Sequence, residues 1–250
     1  MYFVMSDVHG CYEQMMAALS HWKPETETLI VLGDLIDRGP DSLKVIQALS
    51  ALKRIHKDRV VILKGNHDES FANWLLNTPE EELAYYYMSS HEDTIRSFYE
   101  NTTEQAQKYK RDSRKQRGQH IRYHFFEELK FLDRLPMVHE TEHCIFVHAG
   151  INLNIPDWRD DTRCMNEIRN PFIYSSKKAP KRVFFGHTPT ALIRNDETNC
   201  SVWISEQGDK VGIDGGCSMG GQLNALRVNK NGDISETIVI KYKEGSSNGS

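Results

Sequence analysis

Five apolar runs in this sequence stop abruptly at side chains able to hold a metal ion. Val4-Met5 leads into Ser6-Asp7-Val8-His9-Gly10, Leu32 into Gly33-Asp34, and Leu63 into Lys64-Gly65-Asn66-His67-Asp68. Further on, Phe146-Val147 leads into His148-Ala149-Gly150, and Phe185 into Gly186-His187-Thr188. Ligand sites in open α/β sheets form outside the carboxyl ends of the strands, so one sheet edge can gather residues far apart in the chain. Asp7, His9, Asp34, Asn66, His148 and His187 are therefore expected to meet. The neighbouring Gly10, Gly33, Gly65 and Gly186 let the backbone turn and approach closely.

Each feature alone has a plainer explanation. A single His at a strand end is usually a hydrogen-bonded structural residue, and Asn66 suits a turn. The set is what resists that explanation: burying such groups without partners is costly, and a metal supplies the partner. Oxygen and imidazole donors without thiolate suit Mn, Fe or Zn rather than an all-Cys zinc site. Six ligands exceed what one catalytic metal with open positions needs, so the pattern predicts two metals. Asp34 is the expected shared carboxylate, because it stands in the chain between the Asp-x-His and Asn groups. Two metals about 3.5–4 Å apart hold a hydroxide between them and clamp a phosphate, and no Ser or Cys nucleophile is required.

The elements that would position these residues alternate. Phe3-Val4-Met5, Leu29 to Leu32 and Val60 to Leu63 read as strands buried on both faces, each followed by a helical pattern: Glu13 to Trp22, then from about Asp41, then through Phe71 and Trp74. That grammar predicts right-handed βαβ units and a parallel sheet. From Pro79 to about Leu135 the chain is polar and helix-prone, a helical insertion or cap. It contains Tyr85-Tyr86-Tyr87 and a basic stretch, Lys108 to Arg117, expected to be a solvated helix face. After Pro136, strands are expected at 137–141, 143–148, 182–186, 201–204, 210–214, 223–229 and 234–241, forming a second, mixed or antiparallel sheet. Asn231-Gly232 is the hairpin turn between the last two. The α/β class with two central sheets and helices outside follows. Residues 1–243 are expected to form one domain, and 244–250 a Gly/Ser-rich flexible tail.

Composition narrows the class. The chain has 250 residues, 39% hydrophobic and 26% charged, enough apolar material for a sizeable core. A net charge of −4 excludes a strongly basic nucleic-acid binder. No apolar run approaches membrane-spanning length. Five Cys without a C-x-x-C fit a reducing compartment, and the start of the chain leaves no room for a secretion signal ahead of Asp7. A cytoplasmic protein is expected, with no membrane or nucleic-acid partner.

Taken together, D-x-H-G at 7–10, G-D-x-x-D-R-G at 33–39, G-N-H-D at 65–68, H-A-G at 148–150 and G-H-T-P at 186–189 closely resemble the phosphoprotein phosphatase family of metallophosphoesterases, nearest to its bacterial and phage-lambda type. Ile213-Asp214-Gly215-Gly216 and Gly220-Gly221-Gln222-Leu223 are similar to that type's final strand pair. The resemblance spans the chain except 79–135. It implies a four-layer α/β/β/α sandwich, the calcineurin-like metallophosphoesterase fold, and two divalent metals, with Mn²⁺ expected and Fe or Zn also suitable. One metal would be held by Asp7, His9 and Asp34, the other by Asp34, Asn66, His148 and His187. His67 matches the family's proton donor, and Asp37 the carboxylate paired with it, which favours the imidazolium form. Arg38 matches a phosphate-binding Arg. A second such Arg usually stands in a Trp-x-Arg; here Glu167-Ile168-Arg169 takes its place, with Arg163 as the reserve. Asp214 is expected to orient a ligand rather than bind metal.

The resemblance implies a phosphomonoesterase working by direct attack of the metal-bridging hydroxide. Its expected substrate is phosphoserine or phosphothreonine in a phosphorylated protein, or a small phosphoester. The alternative is a dinucleoside polyphosphate or nucleotide hydrolase, since diadenosine-tetraphosphate hydrolases share these motifs. Those enzymes typically carry Ala where this chain has Asp37, and an Asp–His pair helps most when a poorly departing alkoxide needs a proton. A metal-loaded binding module, recognising a partner through 79–135, is disfavoured by the intact motif set.

Overall fold

A computed structural model describes residues 1–86, 89–99 and 102–242; the 244–250 tail and Tyr87 lie outside the described residues. In chain order the strands are β1 (Tyr2–Met5), β2 (Thr28–Val31), β3 (Val60–Ile62), β4 (Val138–Glu140), β5 (Cys144–Val147), β6 (Arg182–Phe185), β7 (Trp203–Ile204), β8 (Lys210–Gly212), β9 (Gln222–Val228) and β10 (Ile234–Lys241). The α-helices are α1 (Tyr12–Leu19), α2 (Ser42–His56), α3 (Asn66–Asn77), α4 (Glu92–Ser97), α5 (Thr103–Arg111), α6 (Arg114–His124), α7 (Phe126–Asp133), α8 (Thr162–Glu167), α9 (Asn170–Ile173) and α10 (Thr190–Arg194).

The strands form two five-stranded mixed sheets, ordered β10-β9-β1-β2-β3 and β4-β5-β6-β8-β7. β1, β2 and β3 run parallel, with Tyr2 opposite Thr28 and Leu29 opposite Val60, as the alternating pattern predicts. In the second sheet β5, β6 and β8 are parallel, and β4 and β7 close the edges antiparallel. One expectation is corrected here. The last two strands do not join the second sheet; β9 returns to pair antiparallel with β1. Its burial matches that place, because six of its seven residues are buried, including the polar Gln222 and Asn224, as befits a strand between a helix layer and the opposing sheet. The pairing also satisfies the backbone groups on the free side of β1. The turn carries Gly232 at φ 91°, as Asn231-Gly232 predicts.

Period-two alternation sorts the strand side chains into three cores. Phe3, Met5, Leu29 and Val31 face the helices on one outer side. Val4, Ile30, Leu32, Phe146, Phe184 and Leu226 fill the space between the sheets. Ile145, Val147, Val183 and Phe185 face the helices on the other side. These are the layers of an α/β/β/α sandwich.

Within the 79–135 segment, α4 packs on α2, and α7 on α2 and α3. Ile95, Phe98, Ile121, Leu129 and Leu132 are buried in the same core as Phe3 and Met5. The basic stretch is split at Asp112-Ser113 between α5 and α6, and Arg117 is drawn inward onto Glu92 and the Tyr109 carbonyl. All five cysteines are free thiols. Among the described residues, no helix is long and apolar enough to cross a membrane.

Candidate metal centre

The parallel strands of both sheets point their carboxyl ends to one edge. Asp7 and His9 follow β1, Asp34 follows β2, and Asn66 opens α3 after β3; His148 follows β5 and His187 follows β6. Strain marks the same places. Asp7, His9, Asp34, Asp37, Arg38 and His187 all have φ between 44° and 72°, a region unfavourable to residues with a Cβ. Among the described non-glycine residues only Lys57 and Asn195 share it, so the strain is concentrated where chemistry is expected.

Asp34 is the hub. Its Oδ2 lies 3.4 Å from both His9 Nε2 and His148 Nε2, and its Oδ1 accepts the His67 N–H at 3.1 Å. Donor atoms of His9, Asp34 and His67 lie within 4.8 Å of one another, and so do those of Asp34, His148 and His187. Asp34 thus belongs to both groups, the sharing that its place in the chain predicts. Asn66 joins the second group, with Oδ1 3.1 Å from His148 Nε2. Asp7 reaches the same edge, where its carboxylate accepts the His187 N–H at 3.0 Å and the Ser6 hydroxyl, tying β1 to β6. His67 sits in the first donor group although its expected task is proton transfer.

Outer hydrogen bonds aim the rings. His9 Nδ1 donates to the Ile36 carbonyl at 2.7 Å and His148 Nδ1 to the Leu32 carbonyl at 2.9 Å, which leaves both Nε2 atoms facing Asp34. Space is equally specified. A Cβ on Gly65 would lie 2.1 Å from Asp34 Oδ1, and one on Gly186 would lie 1.9 Å from Asp7 Oδ2.

Electrostatics suit a cation. Burial alone would push the Asp34 carboxyl up, but His148, His9 and His67 outweigh it and hold the pKa well below the ordinary value. Burial lowers His9, and burial with the facing charges of His148 and Arg169 takes His187 down to about 3, so both rings are neutral and able to ligate. Burial also opposes charge on His148, yet Asp34 raises it to about 9; a divalent cation competes for that same site. The donor set therefore fits a pair of divalent metals: His9 and Asp34 on one side, Asp34, Asn66, His148 and His187 on the other, with Asp7 beside them.

Next to this centre His67 Nδ1 lies 2.6 Å from Asp37 Oδ2. Burial opposes the charged imidazole, but Asp37 and Asp34 prevail and raise the His67 pKa. Arg38 donates to His9 Nε2 at 2.9 Å and lies 3.3 Å from His67 Nε2, so its guanidinium fork spans the two rings. Arg169 donates to the His187 carbonyl and to Thr188 Oγ1, each at 3.1 Å, which puts it beside the second donor group. Arg163 pairs with Glu167 at 2.8 Å on the exposed side. Asp214 accepts the Gly216 N–H at 2.8 Å within its own turn; burial and the facing Asp7 charge push its pKa well above normal.

Several supporting residues have a role that the sequence did not assign, Asp68 of the G-N-H-D motif among them. Asp68 accepts the N–H groups of Gly65 and Leu35, at 2.9 and 3.0 Å, and so staples the loops after β2 and β3. His91 and Thr94 both hold Asp37, from a segment the motifs skip. No spacing rule connects positions 54 and 57 residues away, so only the fold reveals them.

Residues 2–219 match the calcineurin-like phosphoesterase family. The chain is 49% identical over 69 residues to the symmetrical bis(5'-nucleosyl)-tetraphosphatase of Buchnera aphidicola subsp. Acyrthosiphon pisum (strain 5A), covering 27% of this chain and 23% of that protein. It is 39% identical over 87 residues to the Salmonella arizonae enzyme of the same name, covering 32% of this chain and 29% of the relative. These matches span less than a third of either partner. In fold, the chain is similar to a putative diadenosine tetraphosphatase, with TM-score 0.59, 19% identity and coverage of 95% and 92% of the two chains. A Saccharomyces cerevisiae serine/threonine phosphatase gives TM-score 0.57 at 15% identity, over 98% of this chain and 81% of that one.

Proposed function

The chain belongs to the calcineurin-like phosphoesterase family, and from that premise we propose that it is a metal-dependent hydrolase of dinucleoside polyphosphates. The family uses a dinuclear divalent metal centre. The observation that carries the hydrolase reading is the convergence of two donor groups on one carboxylate, Asp34. When bound, the divalent metals, with Mn²⁺ favoured, supply Lewis-acid charge and acidify water. The residues of the chain do the rest. Arg38 and Arg169 present guanidinium forks, at the two sides of the centre, to the phosphate oxygens. His67, held by Asp37, delivers a proton from Nε2 to the departing oxygen.

The dinucleotide substrate draws its support from the named relatives, which are symmetrical tetraphosphatases. A phosphoserine or phosphothreonine substrate is the second reading, and it keeps one specific observation in its favour. The 2.6 Å Asp37–His67 contact is of most use to an alkoxide, which leaves poorly without a proton, and of less use to a nucleotide.

The test is a panel of dinucleoside tetraphosphates, phosphoserine and phosphothreonine peptides and p-nitrophenyl phosphate, with Mn²⁺ and with chelator. A symmetrical cut releases two nucleoside diphosphates. The proposal expects kcat/KM for the dinucleotide to exceed that for any peptide, with all activity abolished by chelator. Higher kcat/KM on a phosphopeptide would replace it with the second reading, and chelator-resistant hydrolysis would overturn both.

A further inference from the structure

The reaction employs Asp37 and His67, yet the structure gives Asp37 a second imidazole. His91 Nδ1 lies 2.8 Å from Asp37 Oδ2, the oxygen that also faces His67 Nδ1 at 2.6 Å. Thr94 donates to the other oxygen, Oδ1, at 2.5 Å, and accepts the Asp37 N–H at 2.8 Å. His91 is itself anchored. Its Nε2 lies 3.1 Å from Ser70 Oγ, and that hydroxyl donates to the His67 carbonyl at 3.1 Å. The ring lies nearly parallel to that of Trp74, at 12° and 6.4 Å between centroids, and edge-on to Phe71 at 5.3 Å. Neither His91 nor Asp37 has exposed surface.

These contacts close a loop. It runs from the His67 ring to Asp37, on to His91 and Ser70, and back to the His67 backbone. A carboxylate holding one imidazole through one oxygen is free to pivot about its Cβ–Cγ bond. With His91 on the same oxygen and Thr94 on the other, that rotation is blocked and the angle of the His67 ring is set. We propose that His91 is a positioning residue: it locks the Asp37 carboxylate so that His67 presents Nε2 to the leaving oxygen. This rests on His67 being the proton donor. A buried His serving only to fill the core would matter equally for every substrate. A positioning His matters only where the proton does.

The test uses the Mn²⁺-loaded full chain and three phosphomonoesters, p-nitrophenyl, phenyl and alkyl phosphate. His91→Phe keeps a ring against Trp74 and Phe71 but removes both nitrogens. KM and bound metal should stay unchanged, while kcat falls about 10–100-fold for the alkyl ester and less than about threefold for p-nitrophenyl phosphate, a fraction of what general acid catalysis contributes. His91→Asn, which can return an N–H to Asp37, should restore most of the loss. Added to His67→Asn, His91→Phe should cost nothing further. The imidazole proton on His67 Nδ1, observed by NMR in the chain loaded with diamagnetic Zn²⁺ and assigned through its disappearance in His67→Asn, should shift in His91→Phe while the rest of the spectrum stays folded. Equal losses across leaving groups, additive losses in the His67→Asn background, or an unmoved NMR signal would each overturn the proposal. If His67→Asn is itself blind to the leaving group, the proton-donor reading fails. The NMR signal then decides alone: a shift retains the positioning role and no shift removes it. Should His91→Phe not fold, Ser70→Ala frees His91 Nε2 and should produce the same pattern at smaller amplitude.

Discussion

Replacing Gly65 by Ala tests whether the shared carboxylate is held by steric fit. Gly65 caps α3 with φ −92° and ψ 169°, an extended conformation open to any residue, so the constraint there is space alone. The added carbon would lie 2.1 Å from Asp34 Oδ1 and 2.2 Å from the Asp34 backbone nitrogen. Real Cβ contacts stay beyond 3.0 Å, so the loops after β2 and β3 would have to separate by about 1 Å. Asp34 has little room to yield, because its two oxygens already face His9, His148 and the His67 N–H. Overpacking of this kind costs roughly 1–3 kcal/mol, and a misplacement of about 1 Å at a reacting centre costs about 10²-fold in rate. Thermal unfolding, metal content after Mn²⁺ loading, and kcat/KM on p-nitrophenyl phosphate read these effects. The same change at Gly118, inside α6, is the control. There the new carbon meets Leu83 and Trp74 at 3.4 Å, an ordinary contact. Gly118→Ala should leave activity unchanged and stabilise by up to about 1 kcal/mol from helix propensity, or about 2–4 °C in Tm. Full metal content and activity within about threefold of wild type in Gly65→Ala, against the 10²-fold expected from displacement, would refute the reasoning.

Asp34→Asn removes the charge that both donor groups share, so metal content should drop and activity fall below about a tenth of wild type; elemental analysis with an activity assay checks both. Arg169→Lys exchanges a fork for a point charge beside His187 and should raise KM several-fold, on the order of 1 kcal/mol, with bound metal unchanged; steady-state kinetics on p-nitrophenyl phosphate decides. His120 predicts a pH effect on stability. Burial, with the charges of Lys108 and His124, takes its pKa from 6.5 down to about 4. The unfolded chain then binds more protons between those values, so stability is full above 6.5 and declines as pH falls toward 4. Urea unfolding across that window should show a shallower decline for His120→Gln; an unchanged slope would contradict the assignment.

The strand ends were legible because their pattern is local. An apolar run such as Leu29 to Leu32 reports burial on both faces, and an abrupt Gly33-Asp34 reports a chain end at a polar edge. The return of β9 to β1 was not legible. A strand that mixes apolar and polar residues, such as Gln222 to Val228, fits either sheet, and the choice depends on which edge is free, a property of the assembled sheets. Likewise the sequence favoured Arg169 only weakly over Arg163, whereas the fold puts one beside His187 and the other against Glu167.

By itself, then, the sequence determined the donor types, their order, the strands that end in them and the expectation of a shared Asp34. Those are consequences of residue chemistry and short-range periodicity. Tertiary structure alone decided how Asp37 is held. His91 and Thr94 come from 79–135, a stretch that reads as a polar insertion, and its helices pack against α2 and α3 through Ile95, Phe98 and Leu129. That packing carries two hydrogen-bonding side chains to a fully buried carboxylate. A carboxylate without exposed surface needs such partners to remain charged, and their identity follows from which surfaces meet in space rather than from any spacing along the chain.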